Sequence, residues 1–260
     1  MAEVVYPPVI VTAKAVFAAL GLRRSFTGTE HVPRTGGAVM AINHTGYLDF
    51  AIAGEAALPA DRLVRFMAKD EIFRHRVAGP LMRGMKHIPV DRDAGAASLV
   101  AAVRALRAGE IVGVFPEATM SPSWELLPFK QGTVRMAVEA GVPILPTVVW
   151  GSQRVSTYGR RKPLTQRRLP VTVTVGAPLR LTEADGIAGG TRQLREVMTA
   201  MLHQAQESYP DAPTGPDDRW WLPARLGGTA VTPEEGLAIV NARRKKAARL
   251  AATEPERETT

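Results

Sequence analysis

The sequence predicts an α/β fold: a mixed, largely buried β-sheet flanked by helices, with an N-terminal interfacial helix and a C-terminal helical tail. Three observations carry this. Apolar runs at 38–42, 111–115 and 142–150 are continuous rather than alternating, the pattern of strands covered on both faces. Helical periodicity at 94–108 and 134–140 falls between such runs, so strand and helix alternate as in crossover units. Val171 to Val175 alternates Val with Thr and reads as an edge strand.

Taken in order, Tyr6-Pro7-Pro8 precedes a first helix, Val9 to Leu22, closed by Gly21 and Arg23-Arg24. It is mostly apolar but holds Thr12 and Lys14 and is too short to span a bilayer, which needs roughly 20 residues. Such a helix either covers the core or lies in a membrane interface. Ser25 to Val32 reads as a strand, 33–37 as a turn, 38–42 as a buried strand and 48–57 as a helix. Leu63 to Ala68 is a short strand that delivers Lys69. A glycine-punctuated helical piece at 78–85 precedes strand 87–90, which ends at Asp91-Arg92-Asp93. In the helix at 94–108, Leu99, Val103 and Leu106 share one face and Gly109 stops it. Strand 111–115 runs into Pro116-Glu117, and Phe129 to Thr133 leads into the helix at 134–140. After strand 142–150 comes a basic loop to Leu169, the edge strand, and a helix from Thr191 to Gln206.

Beyond Tyr209 the composition shifts. Pro210 to Pro223 is rich in Pro, Asp and Gly and reads as a wrapping linker, with Trp220-Trp221 docked on the domain or on a membrane interface. A last helix starts at Thr232-Pro233-Glu234-Glu235, with a cap, a first-turn proline and acids at the positive end of the dipole. It carries Arg243, Arg244, Lys245, Lys246 and Arg249, either a solvated face or a contact for anionic lipid. The chain thus divides into 1–24, a domain at 25–209, and a linker with a basic helix at 210–260.

Composition narrows the chemistry. With 260 residues and 45% hydrophobic content the chain buries a real core. It has no cysteine, which removes disulfides, thiolate nucleophiles and cysteine metal sites. The five histidines show no metal-ligand spacing, so no metal is expected. A net charge of +8 and a pI near 10.2 favour an anionic partner. Nucleic acid is the weakest choice, because the basic residues scatter through loops and a tail without a binding motif. No secretory signal or spanning helix is read, which leaves a peripheral or monotopic protein at the cytoplasmic face of the membrane as the expectation.

The chemistry centres on Asn43 to Asp49, where a buried strand ends in Asn-His, turns through Gly46 and meets an aspartate. A turn running into a helix start folds Asp49 back onto His44. One ring nitrogen then meets a carboxylate and the other is free to take a hydroxyl proton. Packing for His44 and capping for Asp49 are the alternatives. Strands also end at Lys69, Arg92 and Glu117; if they run the same way, one rim of the sheet gathers all of these groups, where open α/β sheets bind ligands.

Four ordered blocks resemble the glycerophospholipid acyltransferases, the 1-acylglycerol-3-phosphate acyltransferases and their relatives. They are His44 to Asp49 (HxxxxD), Lys69 to Phe73 with Ile88 to Arg92, Phe115-Pro116-Glu117-Ala118-Thr119-Met120-Ser121 (the family's FPEGTRS), and Val142 to Pro146. The resemblance implies that His44 is a general base, oriented by Asp49, for attack of an acceptor hydroxyl on a fatty-acyl thioester of coenzyme A or acyl carrier protein. No covalent enzyme intermediate and no cofactor is implied. Glu117, with Thr119, would help bind the acceptor, and Lys69, Arg92 and Lys130 are candidate phosphate ligands. The implied partners are the thioester donor, a lysophospholipid or glycerol phosphate acceptor, and an anionic membrane surface. One departure stands out: Met120 replaces the family arginine associated with the acceptor's phosphate. Arg92, Lys130 or Arg135 then takes that role, or the acceptor differs from lysophosphatidic acid. Ala118 in place of glycine strains the turn if positive φ is required. The alternatives are acylation of a different acceptor and a non-catalytic membrane-binding protein.

Overall fold

The computed structural model describes residues 3–91, 95–160 and 167–253. Its centre is a seven-stranded sheet: β1 Arg23–Thr27, β2 Ala38–Ile42, β3 Val64–Lys69, β4 Ile88–Val90, β5 Ile111–Val114, β6 Ile144–Trp150 and β7 Pro170–Val175. The strand order is β1-β7-β6-β2-β5-β3-β4. Every pairing is parallel except β6 with β7. Strands β2 to β6 therefore run the same way and end on one rim, as the strand-end pattern requires.

The helices are α1 Tyr6–Ala19, α2 Asp49–Glu55, α3 Asp70–Arg74, α4 Ala78–Gly84, α5 Gly95–Arg107, α6 Gly132–Ala140, α7 Ile187–Glu207 and α8 Pro233–Thr253. They split between the two faces of the sheet as the period of two in β2 dictates. Val39 and Ala41 join a core with Leu106, Val134, Leu194 and Met198 from α5, α6 and α7. Ala38, Met40 and Ile42 join the other core, with Phe17 of α1 and Ile52 of α2. Both faces are covered, which is why these strands are continuous apolar runs.

Several elements differ from their sequence reading. α1 begins at Tyr6 because Pro7 and Pro8 sit in its first turn, where a missing N–H costs nothing. β1 stops at Thr27 instead of Val32: Gly28 takes φ +71, and a Cβ there would meet the Val175 carbonyl oxygen at 1.9 Å. Residues after Lys69 continue as α3. β7 is not an edge strand, since β1 pairs along its open side. The Thr–Val alternation records one less covered face of the sheet, and Thr27 and Thr174 meet there hydroxyl to hydroxyl at 3.0 Å.

The flanking stretches are fastened to the sheet. Arg65 is almost fully buried between Glu3 at 2.6 Å and Glu110 at 3.1 Å, which ties the start of the chain to β3. Trp221 is fully buried, against Tyr209, so of the two docking surfaces expected for it the domain is the one found. Burial of an indole this size contributes on the order of 4 kcal/mol before entropic costs. α8 opens with a capping box: the Glu235 carboxylate accepts from the Thr232 N–H at 2.8 Å, and the Thr232 hydroxyl accepts from the Glu235 N–H at 3.2 Å.

Candidate active site

β2 ends at Ile42 between β5 and β6, in the middle of the rim. The chain leaves it through Asn43, whose side chain substitutes for a strand pairing. Its amide donates to the Val149 carbonyl at 3.0 Å, and its carbonyl accepts from the Val149 N–H at 2.7 Å. This clasp fixes where His44 emerges. The turn then closes onto Asp49 at the start of α2. Gly46 is required by close approach: a Cβ there would lie 3.0 Å from Ser152 and from the Ser156 carbonyl oxygen.

Asp49 is fully buried and surrounded by donors. Its Oδ2 accepts from the Thr45 N–H at 2.7 Å, the Gly46 N–H at 2.8 Å and His44 Nδ1 at 3.0 Å. Its Oδ1 accepts a short hydrogen bond from the Ser152 hydroxyl. With the ring proton held on Nδ1, Nε2 is the nitrogen left to accept. The ring lies on Phe115, centroids 4.1 Å apart and 23° from coplanar, and its side chain is 21% exposed. A carboxylate, an apolar plate and an open edge are the surroundings that a general base for a hydroxyl requires.

Glu117 follows β5 and braces the same turn. Its Oε1 accepts from the His44 N–H and its Oε2 from the Leu127 N–H, both at 2.9 Å. It is 1% exposed, and both carboxylate oxygens are taken by backbone donors. Burial pushes its carboxyl up to about 8, against the lowering effect of those two N–H bonds. The Ser121 N–H in turn donates to the His44 carbonyl at 2.8 Å. Between them, Ala118 adopts φ +57, the left-handed conformation that strains any residue with a Cβ. Ala118→Gly is expected to stabilise the protein by about 1 kcal/mol, raising the melting temperature by roughly 2–4 °C; an unchanged melt refutes the strain.

The other predicted residues are spread along the rim. Lys69 is exposed at the end of β3, two strands from β2. Thr119 is half-buried in the loop after β5; Lys130 is exposed, with its N–H on the Pro116 carbonyl at 2.8 Å. Arg135 is exposed on the first turn of α6. Arg92 lies outside the described residues. Sequence reasoning missed Ser152 and the stacking role of Phe115. The one local sign of Ser152 is its place two residues past a buried strand, the same position relative to β6 that His44 holds relative to β2. Among the described residues no three His, Asp or Glu side chains converge as a metal site would need.

The ionisable groups buried near the sheet set a pH dependence of stability. Glu117 has a native pKa of about 8 against an ordinary 4.5. Between those values the folded state keeps a proton that the unfolded chain has lost, so stability falls as pH rises. Burial pushes His87 down to about 4 from 6.5, and its Nδ1 accepts the Phe66 N–H at 3.0 Å. Its contribution therefore falls as pH drops through that window. The two oppose each other between pH 4.5 and 6.5, and above 6.5 only Glu117 acts. Urea midpoints are expected to decline from pH 6.5 to 8, by at most about 1.4 kcal/mol per pH unit, and Glu117→Gln should remove that decline. A flat profile in the native protein refutes the assignment.

A family model described as Acyltransferase matches residues 23–150. The match covers just under half of the chain and places an acyltransferase-like domain at its centre. The 1-acyl-sn-glycerol-3-phosphate acyltransferase of Bacillus subtilis is 33% identical over 123 residues, 47% of this chain and 60% of that protein. The alpha enzyme of the same name from Mus musculus is 32% identical over 157 residues, 59% of this chain and 54% of that protein. The chain thus spans somewhat over half the length of these relatives. The crystal structure of the 1-acyl-sn-glycerophosphate acyltransferase from Thermotoga maritima superposes with a TM-score of 0.64, at 22% identity, covering 78% of this chain and 80% of that one. This likeness extends the shared fold well past residue 150.

Proposed function

We propose that the protein is an O-acyltransferase that moves a fatty acyl group from a thioester to the free hydroxyl of a 1-acylglycerol 3-phosphate. The observation that carries the reading is the His44–Asp49 pair, with the ring held at 3.0 Å by a buried carboxylate and its other edge open. In this reading His44 Nε2 removes the proton of the acceptor hydroxyl as its oxygen attacks the thioester carbonyl. The tetrahedral intermediate collapses with loss of the thiolate, which takes up the proton. Asp49 orients the ring and stabilises the imidazolium. A thioester is already activated, so positioning and one base carry much of the rate. Glu117 acts through His44, holding its backbone in place. The named activity of the Bacillus and mouse relatives supports the choice of acceptor.

In this reading the acyl chain lies toward α1. Phe50 and Ala51, directly after Asp49, line an apolar cleft shared with Val9 and Ile10 of α1 and Phe66 of β3. α1 also presents Val11 and Val16 outward, 66% and 47% exposed, an apolar face suited to a membrane interface. No helix among the described residues is long and apolar enough to cross a membrane. Lys69 and Lys130 add positive charge to the rim.

The deciding assay supplies a labelled acyl thioester, on coenzyme A or on acyl carrier protein, with a panel of 1-acylglycerol 3-phosphate, glycerol 3-phosphate and a neutral monoacylglycerol. Labelled diacylglycerol phosphate is the expected product. Met120, in place of an arginine, favours a second reading, a different acceptor, which transfer to glycerol 3-phosphate alone would establish. Transfer to none of the three sinks both.

A further inference from the structure

Resting on the reading of this site as an acyltransferase, we infer that the phosphate of the acceptor is bound by arginines from outside the 23–150 domain, Arg243 of α8 and Arg160 of the loop after β6. The observation is a cavity of about 290 Å³ lined by the loop after β5, the loop after β6 and α8. Two of its wall residues hold the catalytic turn itself: Ser121 donates its N–H to the His44 carbonyl at 2.8 Å, and the Thr157 hydroxyl donates to the Thr45 carbonyl at 2.7 Å. A ligand in this cavity therefore lies against residues that hold the turn carrying His44.

The chemistry of the walls is cationic and aromatic. The Arg243 guanidinium lies over the Tyr158 ring, 4.0 Å from its centroid, and that of Arg160 over the Trp220 ring at 4.4 Å. A guanidinium stacked by its face keeps its N–H edge available for a planar fork of hydrogen bonds to phosphate oxygens. Among the described residues no carboxylate lines the cavity, and neither arginine forms an ion pair with one. Both arginines are exposed, so they can reach a ligand without first breaking a buried bond. Met120 also lines the cavity. It contributes no charge there, and the two arginines bring it from other parts of the chain. Arg244, next to Arg243, reaches the Glu117 carbonyl oxygen at 3.4 Å, which anchors α8 over the loop that braces His44. These features select a phosphate monoester attached to a small polar group, the head of a glycerol phosphate.

Two experiments test this. The first measures binding without turnover: glycerol 3-phosphate is titrated into His44→Ala protein while tryptophan fluorescence is followed, since Trp124 and Trp220 both line the cavity. Arg160→Ala with Arg243→Ala is expected to weaken binding by about 10–100-fold, the scale of lost charge-assisted bonds, and Arg243→Lys to restore part of it. An unchanged titration overturns the inference. The second measures transfer: Arg243→Ala should raise KM for 1-acylglycerol 3-phosphate by at least roughly 10-fold with kcat changed little. The preference over a neutral monoacylglycerol should shrink in step, and KM for the thioester should hold. A raised KM for the thioester alone overturns the inference by giving the arginines to the donor's phosphates. If the native protein transfers acyl groups to no acceptor, the acyltransferase reading fails, and the titration still decides what the cavity binds.

Discussion

Replacing His44 with alanine is expected to lower acyl transfer by about 10²–10⁴-fold, the range that a positioned base supplies, while the protein stays folded. The folding half of this expectation follows from the surroundings of the ring. One face rests on Phe115, one nitrogen meets Asp49, and only about a fifth of the side chain is exposed. Its loss leaves Asp49 with the Thr45 and Gly46 N–H groups and the Ser152 hydroxyl, enough to keep the turn closed. The measurement is kcat/KM with a labelled thioester beside a urea melt of the same preparation. Retained activity in a folded variant removes His44 as the base. Activity that is absent from both proteins, with vesicle binding intact, favours the non-catalytic membrane-binding alternative.

Asp49→Asn should separate charge from architecture. With the amide oxygen at the Oδ2 position, asparagine still accepts the two N–H bonds and the ring proton. Its NH2 then faces Ser152, whose hydroxyl can rotate to accept. The urea midpoint is expected to stay near the native value while transfer drops by about 10²–10⁴-fold, because no negative charge faces the developing imidazolium. Asp49→Ala differs: four donors lose their acceptor in a fully buried site, at about 1–3 kcal/mol each where water cannot replace it, so both stability and activity should collapse. Full activity in the asparagine variant would show that the carboxylate matters for geometry alone.

The parts of this molecule that were legible in its sequence are those whose signal is local. β2, β5 and β6 announce themselves as continuous apolar runs because helices cover both faces. The His44–Asp49 pair is legible because its members, five positions apart, sit at a strand end and a helix start, and a motif records that spacing. β7 misled because alternation reports how well one face is covered, which is a different property from position at the sheet's edge. Glu117 was visible as a charged strand end, but its neighbours were not: its two donors lie 73 residues before and 10 residues after it. Ser152 is marked only by its place two residues past a buried strand, and Arg243 reads as one member of a basic run, because their partners lie far along the chain.

The clasp that joins Ser152 to Asp49 spans 103 residues, and the contact of Arg244 with Glu117 spans 127. Contacts this distant in sequence form late, since the chain must close long loops before gaining from them. A nascent polypeptide that has passed the loop after β5 already holds His44, Asp49 and Glu117, but lacks the hydroxyl that steadies Asp49 and the helix that caps the rim. The surroundings of the His44–Asp49 pair are thus completed by segments made well after the pair itself.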